Sequence, residues 1–238
     1  MGPPRAARRH LSLGPATRNG LLGLKETMAL EVFDYRNDIR NVFVSPQIRS
    51  RFLRMEPGTV ADRHSHDLGH EIFLILRGKA RFEISGEVAE LSPGQMCVAR
   101  VDEPHQVSVI GDEAMTMYLS VTPHIQPTHT GRDEDGERKP THFLPSSSYD
   151  QEESRIPIDE SIDHFVDLAE SVATMAQNAA EEARMAGARL SRALGSRNNE
   201  TADRQREILW FGVYRTFDKL FEMAEQWNKL SPRAGTRG

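Results

Sequence analysis

The chain has 238 residues, of which 38% are hydrophobic and 27% charged, an ordinary balance for a globular protein. The apolar run at residues 72–76, the longest near the middle of the chain, is far shorter than the roughly 18 residues that a membrane-spanning helix needs. The single cysteine, Cys97, excludes an internal disulfide and a cysteine-rich zinc site, and it suits a reducing cytoplasm. Composition therefore argues against disordered, collagen-like and membrane-spanning classes, and we expect no membrane partner.

Charge is distributed unevenly along the chain. Residues 1–27 carry five basic side chains and one acidic one, whereas the remainder carries 25 basic and 34 acidic side chains. An acidic body argues against nucleic acid as a partner, because phosphate binding needs a concentrated basic face. The first 27 residues lack the apolar core of a secretory signal. We predict a disordered tail there; an upstream extension of a chain that starts at Met28 and a basic transit peptide are the alternatives.

From about Val42 to Val121 the sequence has a strand-like pattern. Short apolar runs are separated by Gly, Pro and acidic turns, and Ala80, Phe82 and Ile84 alternate with charged residues. Many short strands without intervening helices predict a β-sandwich or a closed barrel, which we place at residues 28–125. On the last strand the pattern leaves open whether the row Met115, Met117 and Leu119 or the row Thr116, Tyr118 and Ser120 faces the interior.

Residues 126–156 have no such pattern. They contain prolines, a charge run at 132–139 and three consecutive serines at 146–148, which together favour a linker or a long surface loop. His124 and His129 lie in or beside this stretch. A lid over a site is one interpretation of them, and we favour the other, that both are solvated loop histidines.

Helical periodicity begins after Pro157. Alanines and larger apolar residues recur at intervals of three and four up to Ala193, which predicts a helix whose partner approaches closely at Ala176 and Ala179. A second helix, from about residue 202 to 230, has a broader and more aromatic face. We predict an antiparallel helical hairpin at residues 157–232 that also covers the barrel or a second subunit, and we expect a homodimer.

Four residues in the barrel carry metal-binding chemistry. His64 and His66 are two positions apart, so on a strand both side chains point to one face. Glu71 follows on the next strand after a turn at Gly69, and His105 opens a later strand. Three imidazoles and one carboxylate that converge from neighbouring strands predict a site for one divalent metal ion. Two surface histidines on an edge strand are the simpler alternative for the first pair, but the additional acid and histidine favour the metal.

At this point the sequence resembles the cupins. Their first motif, G-x5-H-x-H-x3,4-E-x6-G, is matched at every fixed position by Gly58, His64, His66, Glu71 and Gly78. The resemblance covers about a third of the chain. It implies a double-stranded β-helix, the cupin jelly-roll barrel, and a metal held by His64, His66, Glu71 and His105.

The second cupin motif is matched less completely. Gly94 and His105 fit its spacing, but Arg100, Asp102 and Val109 stand where the motif has proline, glycine and asparagine. These are mainly turn and strand positions, so the differences leave the expected metal binding unaffected. They do prevent assignment to a particular subfamily.

Two functions follow from this pattern. The first is a metal-dependent enzyme of oxygenase, isomerase or lyase type that acts on a small, oxygen-rich organic substrate in the cytoplasm. The second is a non-catalytic module that binds or senses a small ligand and dimerises. An intact four-ligand set favours the enzyme. Histidine and carboxylate ligands accept Fe, Mn, Ni, Cu or Zn, so the sequence does not choose the metal.

Overall fold

In the computed structural model, the described residues are 30–234, and the predicted tail at residues 1–27 lies outside them. The chain divides into two units, Met1–Val32 and Phe33–Gly238. Within the described residues, all the strands and helices belong to the second unit. None of the described helices combines the length and apolarity needed to cross a bilayer.

Ten strands form two antiparallel five-stranded sheets, which confirms the predicted double-stranded β-helix. One sheet has the order β1-β2-β9-β4-β7 and the other the order β10-β3-β8-β5-β6. The strands are β1 (Asn41–Val44), β2 (Arg49–Met55), β3 (His64–Ser65), β4 (His70–Arg77), β5 (Lys79–Ile84), β6 (Glu87–Leu91), β7 (Met96–Ala99), β8 (His105–Ile110), β9 (Met115–Thr122) and β10 (Thr130–Gly131).

The barrel interior follows from the alternation of side chains along each strand. Phe73 and Ile75 share the inward face of β4 with Glu71, and Ala80 and Phe82 face them from β5. The sequence left the orientation of β9 open, and the structure buries its apolar row, Met115, Met117 and Leu119, in the same cluster. These side chains form one core between the two sheets.

Gly78, the last glycine of the first motif, lies between β4 and β5 and packs closely against the start of β9. Its φ is +69°, and a Cβ atom there would lie 2.7 Å from the carbonyl oxygen of Ala114 and 2.8 Å from Cα of Met115. Any other residue would be strained and would push β9 away. Glycine at this position therefore lets the turn from β4 to β5 lie against the start of β9.

Two long helices follow the barrel, α1 (Ile158–Gly195) and α2 (Asn199–Ala234). They form the predicted antiparallel hairpin, since Gln226 Nε2 near the end of α2 donates to the carbonyl oxygen of Ser161 near the start of α1 at 2.9 Å. Midway, Arg215 pairs with Glu182 at 2.5 Å. At Gly212, a Cβ atom would lie 3.4 Å from Cβ of Ala179, so the helices approach closely there as expected.

The contact face of α1 differs in part from the prediction. Ala179, Ala186 and Ala193 turn toward α2 or are buried, but Ile162 and Ala176 are exposed. Alanine is stable on either side of a helix, so its spacing alone does not locate the contact face. The expectation of tight packing at Ala176 is therefore wrong, whereas the one at Ala179 is consistent with the structure.

Residues 126–156, predicted to be a linker, pack against the barrel. β10 pairs with β3, with Thr130 opposite Ser65, and a short 3-10 helix, Ser146–Tyr149, buries the Tyr149 ring. The difference has a physical reason: the backbone polar groups of this segment are satisfied by turns within it and by single contacts such as that of Arg132 with Arg63, which leave no periodic pattern in the sequence.

Helix α2 is fastened to the start of that segment by side chain to backbone hydrogen bonds. Trp227 Nε1 donates to the carbonyl oxygen of Gln126 at 2.6 Å, and Asn228 Nδ2 donates to that of His124 at 2.8 Å. In return, the backbone N–H of Gln126 donates to Asn228 Oδ1 at 2.9 Å. The hairpin is thus attached to the chain that leaves β9.

Candidate metal centre

The four predicted ligands lie together at one end of the barrel. His64 on β3 and His105 on β8 are register partners in one sheet, His66 follows β3 directly, and Glu71 comes from β4 in the other sheet. One ligand atom of each lies within 4.8 Å of those of the other three. The neighbouring His70 is exposed, as its position on the opposite face of β4 predicts.

The turn between His66 and Glu71 brings the two sheets together. Gly69 sits in this turn, where a Cβ atom would lie 2.8 Å from Cγ1 of Val121 and 2.9 Å from the carbonyl oxygen of Pro123. A side chain at this position would displace the turn from the end of β9. The absence of one lets His66 and Glu71 reach the same point from different sheets.

Each of the three ligand imidazoles is oriented by a backbone carbonyl. Nδ1 of His64 contacts the carbonyl oxygen of Asp62 at 2.9 Å, and Nδ1 of His105 contacts that of Glu103 at 2.9 Å. Nδ1 of His66 contacts the carbonyl oxygen of Thr128. A carbonyl only accepts, so Nδ1 carries the proton in all three rings and the Nε2 lone pair is left for a ligand.

The three Nε2 atoms converge on one carboxylate oxygen. Glu71 Oε2 lies 2.7 Å from Nε2 of His66, 3.0 Å from that of His105 and 3.7 Å from that of His64. The Nε2 lone pairs and the Glu71 carboxylate repel each other unless a positive charge lies between them. Three neutral nitrogen donors and one oxygen donor therefore fit a divalent cation such as Fe, Mn, Ni, Cu or Zn.

Protonation of the group is consistent with that arrangement. Burial lowers the pKa of His66 and favours its neutral form, although Glu71 acts in the opposite direction. Burial by itself would raise the pKa of Glu71, but hydrogen bonds from His105, His64 and His66, donated when Nε2 carries a proton, outweigh burial and hold that pKa well below its ordinary value. Glu71 is thus an ionised carboxylate beside a neutral imidazole, as metal binding requires.

A fourth histidine, His129, lies beside the three histidines of the group. The His129 ring lies 4.7 Å from the His64 ring and 4.9 Å from the His66 ring, centroid to centroid. Burial lowers the pKa of His129 well below its usual value and keeps the ring neutral. The expectation that His129 is solvated is therefore wrong.

The partners of His129 extend into the interior. Its Nδ1 lies 3.0 Å from Thr128 Oγ1, which in turn lies 2.7 Å from the hydroxyl of Tyr149. His124 was also expected in solvent and is instead buried, with its ring 4.8 Å from that of Tyr149. No sequence signal marked these contacts, because they depend on how an irregular segment folds back over the barrel.

A buried arginine completes the surroundings. Arg49, at the start of β2, is 2% exposed, and its Nη2 lies 3.9 Å from Glu71 Oε1. Its guanidinium carbon lies 5.5 Å from the centroid of the Tyr149 ring, close enough for a cation–π contact. Burial lowers the pKa of Arg49, and the negative charge of Glu71 opposes this shift. Sequence reasoning did not identify this residue.

Comparison with solved structures finds similar barrels at low identity. An uncharacterized conserved protein with a double-stranded beta-helix domain from Klebsiella pneumoniae is 17% identical, and the alignment covers 44% of this chain and all of that one, with a TM-score of 0.41. KdgF from Halomonas sp. is 22% identical over 36% of this chain and 78% of its own, with a TM-score of 0.34.

Salicylate 1,2-dioxygenase from Pseudoaminobacter salicylatoxidans, solved as adducts with gentisate, is 21% identical. That alignment covers 32% of this chain and 20% of the dioxygenase, with a TM-score of 0.30. A search of the curated proteins finds no match to the sequence.

Two five-stranded sheets around an imidazole–carboxylate group define a double-stranded β-helix able to hold a metal ion. Residues 51–122 match the Cupin_2 family model, the cupin domain. The barrel of this protein is a cupin domain, which confirms the resemblance noted in the sequence. The matched residues include three of the ligands on their strands and His66 beside them, whereas both helices lie beyond the match.

Proposed function

We propose that the protein is a metal-dependent enzyme that acts on a small, oxygen-rich organic substrate. The observation that supports this proposal is the convergence of three Nε2 atoms, each fixed by a carbonyl at Nδ1, on one carboxylate. A divalent metal held by His64, His66, Glu71 and His105 would supply Lewis acidity to a substrate oxygen or activate dioxygen or water. The reaction classes that such a site serves are oxygenation, isomerisation and lyase chemistry.

The four side chains differ in solvent exposure, so the proposed site is accessible from one side only. His66, Glu71 and His105 have side chains no more than 3% exposed, whereas the His64 side chain is 21% exposed. A substrate therefore approaches past His64. His129, which lies against His64 and His66, would contact a substrate on this side.

A non-catalytic role as a ligand-binding or sensory module is the second candidate. The same four residues would then hold a metal that only fixes a ligand. The two functions differ in turnover: an enzyme consumes its substrate, whereas a binding module returns it unchanged. Four protein ligands leave two positions of an octahedral metal for exchangeable groups, which favours the enzyme.

Elemental analysis of protein purified without added metal tests the site, and oxygen uptake or product formation with a series of acids and diols tests the reaction. We expect about one divalent metal per chain. His64→Ala and His105→Ala should each lose most of it, while His70→Ala, which removes an exposed histidine from the opposite face of β4, should retain it. Full metal occupancy in the His64→Ala, His66→Ala double variant would contradict the assignment.

We also propose a homodimer formed through the exposed apolar face of α2, namely Trp210, Phe211, Val213, Tyr214 and Phe217, all 48–60% exposed. An exposed apolar patch of this kind marks an interaction site. Around Tyr214, a two-fold axis would place Phe211 against Phe217 and Arg206 against Glu222, so the face complements a second copy of itself.

The proposed compartment is the cytoplasm. Cys97, the single cysteine of the chain, is a free thiol in the structure. Burial raises the pKa of the Cys97 thiol to about 12, which keeps it protonated and unreactive. A buried, reduced thiol suits a reducing compartment.

A further inference from the structure

We propose that Arg49 and Arg51 form an anion-binding subsite inside the barrel, beside the metal ligands, and that the substrate carries a carboxylate. That the bound anion is a substrate rests on the proposed function. That the two arginines bind a carboxylate rests on their geometry alone. The subsite would restrict the class of substrates from oxygen-rich molecules in general to those that carry a negative charge.

The strand geometry directs both side chains inward. Arg49, Arg51, Leu53 and Met55 occupy every second position of β2 and so lie on one face. Met55 belongs to the apolar core and Leu53 packs against it. Side chains two apart on a strand share a face, so both arginines face the barrel interior. This is an unusual position for two cations, since interiors of small barrels are normally filled by apolar side chains.

Register places the first arginine next to the metal group. Arg49 is the partner of Val121 on β9, and Val121 is the partner of Glu71 on β4. The three residues therefore form one row across adjacent strands. The distance of 3.9 Å between Arg49 Nη2 and Glu71 Oε1 agrees with that row. An anion bound at Arg49 would lie within reach of a metal held by Glu71.

One donor of each guanidinium group, the Nε atom, lacks a hydrogen-bond partner among the described residues. The Nε atoms of Arg49 and Arg51 are both buried. Arg49 is 2% exposed, so its polar edge does not face bulk solvent. A buried ionised donor without a partner is costly, and proteins pair such groups with an opposite charge.

The acidic groups nearby are already engaged. Glu71 Oε2 is surrounded by three imidazoles, so its charge serves the metal. Asp150, whose charge acts on Arg51, accepts hydrogen bonds at Oδ2 from the backbone N–H and the side-chain Nδ2 of Asn41, both at 2.9 Å. Neither carboxylate accepts a hydrogen bond from the Nε atom of Arg49 or Arg51, so an anionic ligand would supply the acceptors that these two atoms lack.

The geometry favours a carboxylate as that ligand. A guanidinium group presents parallel N–H donors whose spacing matches the two oxygens of a carboxylate. The Tyr149 ring lies against the Arg49 guanidinium with 5.5 Å from its carbon to the ring centroid, which holds its plane and leaves its edge for the ligand. One carboxylate on the arginine edge and one oxygen on the metal would then orient a small acid.

Isothermal titration of the full-length, chelator-treated protein with malonate tests the subsite, with malonamide as the uncharged analogue of the same shape. We expect wild type to bind malonate and not malonamide. Arg49→Met and Arg51→Met should each weaken malonate binding at least about tenfold, as expected for loss of a charge-assisted hydrogen bond. Arg54→Met is the matched control, because Arg54 lies on the opposite, exposed face of β2 and should leave binding unchanged.

Equal binding of malonate and malonamide, no binding of malonate, or wild-type affinity in both arginine variants would overturn the subsite. Arg51 is half-buried, so Arg51→Met serves as the second variant if Arg49→Met fails to fold. The titration uses metal-free protein, so its outcome is independent of the proposed enzyme. If wild type held no metal and turned over no acid, yet bound malonate through both arginines, the proposed function would fail and the anion subsite would stand.

Discussion

Nδ1 of His66 donates a hydrogen bond to the backbone carbonyl of Thr128, although 62 residues separate the two along the chain. This contact joins a predicted metal ligand to the segment that α2 holds through Gln126 and His124. The helical hairpin, which shares no residue with the metal group, is therefore linked to it through one short stretch of backbone.

Trp227→Ala should weaken metal binding without removing a ligand. The substitution deletes the hydrogen bond to the Gln126 carbonyl and the ring contact with Phe143, so the segment that carries Thr128 is less firmly held. Loss of an outer partner of a metal ligand typically costs about tenfold or more in affinity. Metal affinity measured against a competing chelator checks this, with Trp210→Ala, an exposed tryptophan of the same helix, as control. Equal affinities in the two variants would contradict the link.

Ala179→Leu should destabilise the protein by roughly 1–3 kcal/mol, because the larger side chain would have to fit between the two helices where Ala179 faces Gly212. Ala176→Leu is the matched control: this alanine is exposed on the same helix, and the change should fall within about 0.5 kcal/mol of neutral. Urea unfolding of both variants gives the free energies. Similar losses would mean that the contact face includes both positions.

Stability of the metal-free protein should fall as the pH decreases from about 6.5 toward 3. Burial, followed by the nearby charge of Arg49, lowers the pKa of His124 from 6.5 to about 3. Between these values the unfolded chain binds a proton that the folded chain does not, so acid favours unfolding. One such histidine contributes a slope of about 1.4 kcal/mol per pH unit.

His124→Phe should therefore reduce the slope of unfolding free energy against pH by up to about 1.4 kcal/mol per unit in this range. The new ring keeps the packing against Tyr149. His66 and His129 are lowered in the same direction, so part of the slope should remain. Denaturant titrations at several pH values check this, with His142→Phe, which removes an exposed histidine, as control. A slope identical to wild type would show that His124 does not titrate on unfolding.

Phe217→Glu should convert the proposed dimer to a monomer, because it places a charge within the exposed α2 face, where Phe217 would pack against Phe211 of the second copy. Val166→Glu is the control, an equally exposed apolar residue on α1 that lies outside that face. Sedimentation velocity of the full chain gives the mass in each case. A wild-type monomer, or a dimer that survives Phe217→Glu, would contradict this interface.

The sequence was sufficient to predict the barrel and the convergence of the four predicted ligands, because both depend on the spacing of residues along the strands. Alternation along β4 and β5 sets which side chains face inward, and the interval between His64 and His66 puts both on one face. The position of Arg49 beside Glu71 could not be predicted in this way. It depends on the register of β2 and β4 with β9, and local spacing does not specify the order of strands in a sheet.

The irregular segment and the helical contact face were harder to predict. His129 reaches the ligands because residues 124–131 fold back over the barrel, guided by contacts to β3 and α2 that are distant in sequence. On α1, alanines at 176 and 179 satisfy the same spacing, yet only the second packs against Gly212. Alanine is as stable on a solvent-exposed helix face as in a helix–helix contact, so an alanine in the sequence does not show which face it occupies.

The attachment of residues 124–126 to α2 also imposes an order on synthesis. His64, His66, Glu71 and His105 leave the ribosome long before Asn228, which follows its partner His124 by 104 positions. A newly made barrel thus has all four ligands while Thr128 is still held by the barrel alone. We expect nascent chains halted before Trp227 to release a metal bound at the proposed site faster than finished chains, so that completion of the last helix would be the step at which such a metal is retained.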